Sequence, residues 1–335
     1  MSGEGKGQEG DFLTRIGDLA SAALPRYGLS PHATATLINH SENATYRIDD
    51  PETGLRRILR IHRRGYHDLA AIRSELQWIE ALRQQEGVLT ALPIPAQDGS
   101  LIQELASPAL PEPRYAVMFT FLTGHEPPED NLLAPFERLG TVSAQMHRHS
   151  RQWRHPEGFT RQVWDHDGAL GERSIWGHWQ NGMGMTPAHL QLLGRLSQTL
   201  RRRLAAFGTS PQRFGLVHAD IRLANLLVEG ELTKVIDFDD SGFSWFLYDI
   251  GTALSFIEHR PDVPDLVDAW LRGYRKIASL SAEDEAEIPT FIMMRRLLLV
   301  AWIGSHHETD LARSMGVPYT DGTCDLAENY LRKFA

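Results

Sequence analysis

Three side chains with oxygen atoms stand close together in one stretch of the sequence, GLVHADIRLANLLVEGELTKVIDFDD. Asp220 is followed by Asn225, and Asp237 comes twelve residues later. Carboxylate and amide oxygens are ligands that suit Mg2+, which proteins often bind together with substrate phosphates. A further carboxylate beside such a metal can accept a proton from a hydroxyl group. This combination of residues predicts a site for phosphoryl transfer.

The stretch between these residues predicts a β-hairpin, because two short apolar runs flank a turn that contains glycine. With 229–231 as the turn, Val228 pairs with Leu232. That register places Asn225 opposite Val235, with the second carboxylate just past the open end of the hairpin. We therefore expect the hairpin to bring an amide and a carboxylate side by side.

The predicted roles divide the site between a base and a metal. Asp220 is the candidate catalytic base, since a carboxylate at the acceptor hydroxyl can orient it and take its proton. Asn225 and Asp237 are the candidate Mg2+ ligands, and Asp239 is a further candidate carboxylate. Each residue also has a structural alternative, in which Asp caps a loop or strand end, Asn satisfies a turn, or Asp239 faces solvent.

Apolar periodicity divides the chain into a β-rich segment, 11–122, and a mainly helical segment, 123–335, after a tail (1–10) expected to be disordered. Asp11 is the expected N-cap of the first helix. In the β-rich segment we expect helices at 11–24 and 66–85 and strands at 34–40, 45–49, 55–62, 101–105 and 115–122. In the helical segment we expect helices at 136–150, 187–203, 246–258, 263–279, 282–304 and 323–334.

The same stretch resembles the catalytic loop and metal-binding segment of the protein-kinase superfamily, H-x-D-x-x-x-x-N followed by D-F. It is more similar to the small-molecule branch, namely aminoglycoside phosphotransferases, choline kinases and type II homoserine kinases. Asp239 stands where D-F-G would have glycine, and Asp249 is expected to cap the helix that begins near Ile250 or to brace the catalytic loop. The resemblance implies an α+β, bilobal protein-kinase-like fold with a small antiparallel-sheet N-lobe and a larger, mainly helical C-lobe.

The resemblance also implies roles for neighbouring residues. His218 would hold the catalytic loop by hydrogen bonds. The Arg222 guanidinium would neutralise charge on the transferred phosphoryl group, or it is an exposed loop arginine. The backbone from Thr120 to Leu122 would offer hydrogen-bonding groups to an adenine edge.

The nucleotide would be held in the cleft between the lobes without a G-x-G-x-x-G loop, which the sequence lacks. In its place the turn in NHSENATYRI, with Ser41 and Asn43, would cover the phosphates through backbone N–H groups and an amide. Arg60 stands where protein kinases have the third-strand lysine, and Glu75 on the next helix is its expected partner. ATP and Mg2+ are the implied cofactors.

Composition limits the class of protein. The 335 residues are 42% hydrophobic and 23% charged, as in soluble globular proteins. A formal net charge of −9 argues against nucleic acid as a partner. The single cysteine, Cys324, excludes an internal disulfide and fits a reducing compartment. The sequence has no run of about 18 apolar residues and no apolar core at its start, so we expect no membrane span, no signal peptide and a cytoplasmic location.

Aromatic residues and histidines outside the hairpin could contribute to an acceptor site. The segment 151–185 carries four tryptophans, Trp153, Trp164, Trp176 and Trp179, which could stack on a sugar or a cation or could pack an insertion. His306 and His307 follow Trp302 and could line the acceptor pocket or simply end a helix.

Together these features predict an ATP- and Mg2+-dependent phosphotransferase that acts on a hydroxyl group of a small molecule. A Ser/Thr protein kinase of the bacterial stress-response type, with a protein acceptor, is one alternative, and a nucleotide-binding pseudokinase sensor is another. A glycosyltransferase that uses Asp237 and Asp239 as D-x-D fits poorly, because H-x-D-x-x-x-x-N precedes them. Neither the acceptor nor the oligomeric state is indicated by the sequence.

Overall fold

The computed structural model describes residues 4–40 and 43–335, with the side chains of the first helix described from Phe12 onward. Ser41, which was expected to cover the phosphates, lies outside the described residues. The chain forms two compact units, and the main break between them falls after Thr123. The first unit comprises residues 1–80, 90–123 and 157–160, and the second comprises 81–89, 124–156 and 161–335.

The first unit is built on one antiparallel sheet. Its elements are α1 (Glu4–Ala23), β1 (Thr34–His40), β2 (Ala44–Asp50), β3 (Leu55–Ile61), α2 (Leu69–Gln85, which ends in the second unit), β4 (Pro93–Ile94), β5 (Ile102–Leu105) and β6 (Arg114–Thr120). The strand order is β1-β2-β3-β6-β4, and β5 also pairs with β6. The five predicted strands all form, whereas β4, only two residues long, was too short for a periodicity to reveal.

One face of this sheet is covered by α1. Ile16 and Leu19 of the helix belong to the same buried cluster as Tyr46, Leu59 and Met118 of the strands. The helix begins at Glu4, so the prediction of an Asp11 N-cap, and of a disordered tail for residues 4–10, is wrong. Those residues lack apolar side chains and give no periodic signal, although a helix anchored by its buried face can extend through them.

The second unit is mainly helical and contains two short two-stranded sheets. Its elements are α3 (Leu133–Gln152), α4 (His166–Leu170), α5 (Pro187–Phe207), β7 (Phe214–Val217), β8 (Leu226–Glu229), β9 (Leu232–Val235), β10 (Gly242–Trp245), α6 (Tyr248–Ala253), α7 (Val263–Tyr274), α8 (Ala282–Ala286), α9 (Ile288–Ser305) and α10 (Asp310–Phe334). β7 pairs with β10 and β8 pairs with β9, both antiparallel. This arrangement confirms the predicted split into a sheet-containing part and a helical part.

Several predicted helix boundaries in this unit are wrong. α6 has six residues, whereas the predicted helix covered 246–258. The predicted helix at 282–304 is divided into α8 and α9, and α9 has a proline in its first turn. α10 begins thirteen residues before the predicted start, at Asp310. Gly316 and Pro318 lie inside it, and the helix axis kinks at Gly316, which takes φ 49°. Glycine and proline usually mark helix ends, which is why the sequence pattern suggested a later start.

Two glycines let α3 and α7 approach closely. A Cβ atom built on Gly140 would lie 1.9 Å from the Trp270 carbonyl oxygen, and one on Gly273 would lie 1.7 Å from that of Glu137. Any larger residue at either position would therefore push the helices apart. This contact matters for the site because α3 also carries His147, which is described below.

The segment Ala282–Ser305 is long and apolar enough to cross a membrane by length and composition, but 83% of its most apolar window is buried inside the protein. A core helix of a folded unit has the same properties. α9 provides most of this segment, and it buries two arginines, Arg295 and Arg296, among its apolar residues. Buried arginines require partners, and a partner of Arg295 belongs to the candidate site.

Candidate active site

The β8–β9 hairpin has a register that differs by one residue from the prediction. Glu229 pairs with Leu232, so the turn holds only Gly230 and Glu231. Gly230 takes φ 58°, which suits a two-residue hairpin turn whose twist matches that of the strands. The prediction that Val228 pairs with Leu232 is wrong, because it assumed a three-residue turn.

The observed register still brings the two candidate metal ligands to one end of the hairpin. The Ile236 N–H donates to the Asn225 carbonyl oxygen at 3.0 Å, and Asp237 is the next residue. Asp237 is exposed and takes φ 64°, a conformation that costs energy for a residue with a side chain and is frequent at functional sites.

Asn225 is held by the candidate base. Its Nδ2 donates to the Asp220 carbonyl oxygen at 2.8 Å and to Asp220 Oδ2 at 2.9 Å. Both amide hydrogens are thereby used. Among the described residues, nothing donates a hydrogen bond to Asn225 Oδ1, which is the atom that a cation would use.

The Asp220 carboxylate is contacted by donors on both oxygens. Besides Asn225, the Arg222 Nε lies 3.4 Å from Oδ2, and Arg295 Nη2 donates to Oδ1. Arg222 was expected near the transferred phosphoryl group from the sequence, whereas the contact of Arg295 with Asp220 was not expected. The available signal was an arginine pair inside the apolar run FIMMRRLLLV, since arginine is rarely buried unless it is paired.

His218 is buried and binds two parts of the site together. Its Nδ1 accepts from the Asp220 N–H at 3.3 Å, so its Nε2 carries the proton and donates to the Ile236 carbonyl oxygen at 3.1 Å. Both ring nitrogens are therefore engaged with the backbone, once on the Asp220 loop (residues 218–225) and once beside Asp237. These contacts fit the predicted scaffold role.

The Asp220 loop is braced by α6. Asp249 on this helix accepts from the Ala219 N–H at 2.9 Å and from the His218 N–H at 3.3 Å, and Thr252 Oγ1 accepts from the Ile221 N–H at 3.1 Å. Ala219 takes φ 66°, so these bonds hold a strained backbone. Of the two suggested roles for Asp249, the structure shows the brace.

His147 from α3 completes this arrangement. Its Nε2 lies 2.9 Å from Asp249 Oδ2, and its Nδ1 lies 3.1 Å from the Tyr274 hydroxyl. The ring is fully buried, and this burial lowers the pKa of His147 below 6.5 despite the neighbouring carboxylate.

Burial gives the second unit a predictable pH dependence of stability. It lowers the pKa of four histidines below their ordinary value of 6.5, namely His147, His149, His155 and His166. Since the unfolded chain binds protons near pH 6.5 that the folded chain does not, stability is lost as pH falls through that value. We expect the thermal midpoint to decrease between about pH 7.5 and about pH 5, above the range where carboxylates titrate. A constant or rising midpoint over this interval would contradict the expectation.

The structure leaves the metal site with few protein ligands. Asp239, the third candidate, is buried, and its carbonyl oxygen accepts from Arg161. Within residues 4–40 and 43–335, no group of three or more His, Cys, Asp and Glu side chains could hold a metal ion. An amide oxygen and a carboxylate nevertheless fit Mg2+, which commonly takes one or two carboxylates and completes its coordination with phosphates and water. The roles of Asn225, Asp237 and Asp239 stay predictions.

In the first unit, Arg60 and Glu75 form the expected pair. Arg60 Nη2 donates to both Glu75 oxygens, at 2.7 Å and 2.6 Å, and both side chains are buried. Asn43 is buried too, and its Oδ1 accepts from the Arg63 N–H at 2.9 Å. That bond fixes the start of β2. Contact of these residues with a nucleotide stays a prediction.

The predicted adenine-binding segment has one backbone donor already in use. The Thr120 N–H donates to the Leu92 carbonyl oxygen at 2.9 Å, and Thr120 Oγ1 accepts from the Leu92 N–H at 2.9 Å. Leu122, two residues past the end of β6, is half-buried. An adenine edge would therefore have to use backbone groups beyond the Thr120 N–H.

Three of the four tryptophans, and one of the two histidines, follow the packing alternative. Trp164, Trp176 and Trp179 are buried, and the Trp164 and Trp176 rings meet edge to face at 5.1 Å. His306 is buried at the end of α9 and stacks on Trp302 at 4.9 Å. Trp176 also faces the Arg295 guanidinium at 4.9 Å, so one of these tryptophans does reach the surroundings of Asp220.

Comparison with known proteins agrees with this geometry. Residues 34–287, most of the chain, match the phosphotransferase enzyme family. The chain belongs to this family. The match includes the Asp220 loop and the β8–β9 hairpin, so the predicted class of enzyme is confirmed for this phosphotransferase.

Three relatives cover nearly the whole phosphotransferase. The structure of a microcompartment-associated aminopropanol kinase is 43% identical, with a TM-score of 0.87 over 94% of this chain and 97% of that one. The amicoumacin kinase of Bacillus subtilis (strain 168) is 24% identical over 84% of this chain and 82% of its own length. An amicoumacin kinase solved in complex with AMP-PNP, Ca2+ and Ami is 22% identical, with a TM-score of 0.75 over 98% of this chain and 96% of that one.

These likenesses confirm the predicted fold class and the predicted branch of the superfamily. The phosphotransferase has the kinase-like fold, with an antiparallel sheet in its N-terminal part and helices in its C-terminal part. The three relatives named above are kinases of small molecules, and they favour neither the protein-kinase nor the pseudokinase alternative.

Proposed function

We propose that this phosphotransferase transfers the γ-phosphoryl group of MgATP to the hydroxyl group of a small amino alcohol. Support for ATP comes from the Asp220 loop and its hairpin, and from a relative of the same fold that was solved with AMP-PNP. The choice of acceptor depends on one observation, the 43% identity with an aminopropanol kinase over 94% of the chain. Amicoumacin kinases are more distant, at 24% and 22% identity.

Asp220 would accept a hydrogen bond from the hydroxyl group of the acceptor. This bond would orient the hydroxyl oxygen towards the γ-phosphorus. As the new oxygen–phosphorus bond forms and the bond to the β-phosphate oxygen breaks, the hydroxyl proton passes to Asp220 and ADP leaves. Arg222, beside the carboxylate, can offset negative charge on the transferred group. Such a mechanism relies mainly on positioning, which fits the many hydrogen bonds that fix the loop.

Asn225 and Asp237 are the residues that would hold Mg2+. When bound, the metal ion supplies positive charge to the phosphate oxygens. The protein contributes the orientation of its two ligands, through the Asp220 bond to the Asn225 amide and through the strained backbone at Asp237.

The test is a panel of acceptors assayed with ATP and Mg2+. It contains 1-amino-2-propanol, ethanolamine, choline, homoserine, amicoumacin and a protein extract, with ADP release and phosphorylated products both measured. We expect acceptor-dependent ADP release and a phosphorylated amino alcohol as the product. Phosphorylation of amicoumacin alone, of proteins alone, or ADP release that needs no acceptor would each contradict the proposal.

A further inference from the structure

We propose that Arg295 is a positioning residue for phosphoryl transfer, whose guanidinium fixes the direction in which the Asp220 carboxylate faces the acceptor. This inference rests on the proposed function of the same site. It concerns a residue from α9, 75 positions away from Asp220 in the sequence and outside the catalytic motif.

The Arg295 guanidinium is itself held firmly. Its Nε donates to Ser255 Oγ at 2.9 Å, and its Nη1 lies 3.4 Å from the Tyr248 hydroxyl. The Trp176 ring covers one face of the group at 4.9 Å from its centroid. Only 2% of the side chain is exposed. A planar cation that is bound on its edges and stacked on its face can impose its orientation on a partner.

Asp220 is the partner that receives this orientation. Arg295 Nη2 donates to Oδ1, while Asn225 Nδ2 donates to Oδ2 at 2.9 Å from another direction. Rotation of the carboxylate would break both bonds. Arg295 Nη1 also lies 3.4 Å from the carbonyl oxygen of Ala219, the strained residue that precedes Asp220. Arg295 therefore supports the carboxylate and the backbone behind it.

Arg295 keeps its charge in this buried position. Burial lowers the pKa of the guanidinium, but the neighbouring Tyr248 and Asp220 outweigh burial, so the pKa lies above its ordinary value. Removing the charge leaves Asp220 without its strongest donor. Because Arg295 touches Asp220 but is not placed to take the proton, its loss should slow transfer more than it weakens binding.

The neighbouring Arg296 is a matched control. It lies on the same helix, with 3% of its side chain exposed, and it pairs with the buried Glu258 at 2.8 Å and with Thr323 Oγ1 at 2.8 Å. It bonds to neither Asp220 nor the Asp220 loop. Replacing either arginine removes a buried cation from α9 and leaves a carboxylate behind, so both changes disturb folding in a similar way.

The experiment compares Arg295→Met, Arg296→Met and Arg295→Lys by kcat, by KM for ATP and for the acceptor, and by thermal midpoint. We expect Arg295→Met to lower kcat about 10- to 100-fold relative to Arg296→Met, with KM for ATP nearly unchanged. Lysine keeps the charge but cannot bond to Asp220 and Ser255 in two directions, so Arg295→Lys should restore only part of kcat. If Arg295→Met does not fold, Arg295→Lys carries the test, and wild-type kcat in that variant would overturn the proposal.

A double-mutant cycle separates positioning from general damage. In an Asp220→Asn background, Arg295→Met should change the residual rate little, because the group that it orients is already inactive. Equal rates for Arg295→Met and Arg296→Met, or a full additive loss in the double variant, would overturn the Arg295 proposal alone. A wild-type protein that phosphorylates no acceptor would instead overturn the proposed function.

Discussion

Asp220→Asn is expected to lower kcat by about 10²- to 10⁴-fold, the usual contribution of a general base. Asn keeps the shape of the side chain and an oxygen for Arg295, but its amide cannot take the hydroxyl proton. The affinity for ATP should stay close to that of the wild type, since Asp220 acts on the acceptor. The measurements are steady-state kinetics and nucleotide binding by calorimetry.

A matched control for this change is Asp262→Asn. Asp262 pairs with Arg260 at 2.7 Å, and 38% of its side chain is exposed. The same substitution there should leave kcat unchanged. An Asp220→Asn variant with wild-type kcat would exclude Asp220 as the base, and one that loses ATP binding would place the residue on the nucleotide instead.

Asp237→Asn is expected to change the dependence of activity on Mg2+ concentration. Removing one negative charge from a site with few protein ligands should raise the Mg2+ concentration for half-maximal activity about 10-fold or more. ATP turnover measured over a range of Mg2+ concentrations tests this. Saturating Mg2+ should recover part of kcat, which a defect in folding would not allow.

The opposite end of the same hairpin supplies the control. Glu231 lies in the turn, with 96% of its side chain exposed, so Glu231→Gln removes the same charge from the same hairpin. Its Mg2+ dependence should match that of the wild type. Equal Mg2+ responses for Asp237→Asn and Glu231→Gln would contradict the assignment of Asp237 as a ligand.

Much of the fold could be predicted from the sequence, because local patterns determine it. Strand β1 has the predicted bounds, Thr34–His40, and the hairpin and the helix that begins at Pro187 both form. The H-x-D-x-x-x-x-N pattern identified the Asp220 loop because its residues lie close in sequence. In each case the relevant interactions are short-range, or they repeat with a regular period.

The parts that could not be predicted depend on long-range contacts. The hairpin register differs by one residue from the prediction, because a two-residue turn and a three-residue turn both fit two apolar runs around Gly230. Arg295 reaches Asp220 across 75 positions, and His147 reaches Asp249 across 102. Sequence periodicity reports which face of a helix is buried, but it does not report which residue of another element lies opposite that face.

The buried guanidinium on α9 also has a consequence for inhibitor chemistry. A drug-like amine directed at Asp220 would meet a carboxylate whose charge is already paired with Arg295 at Oδ1, so its ammonium group would gain less than it would from an unpaired carboxylate. Compounds that donate a hydrogen bond from a neutral hydroxyl to this carboxylate, and carry their positive charge on another atom, avoid that competition with the guanidinium. Medicinal chemistry on this scaffold should therefore begin from alcohols rather than from bare ammonium groups.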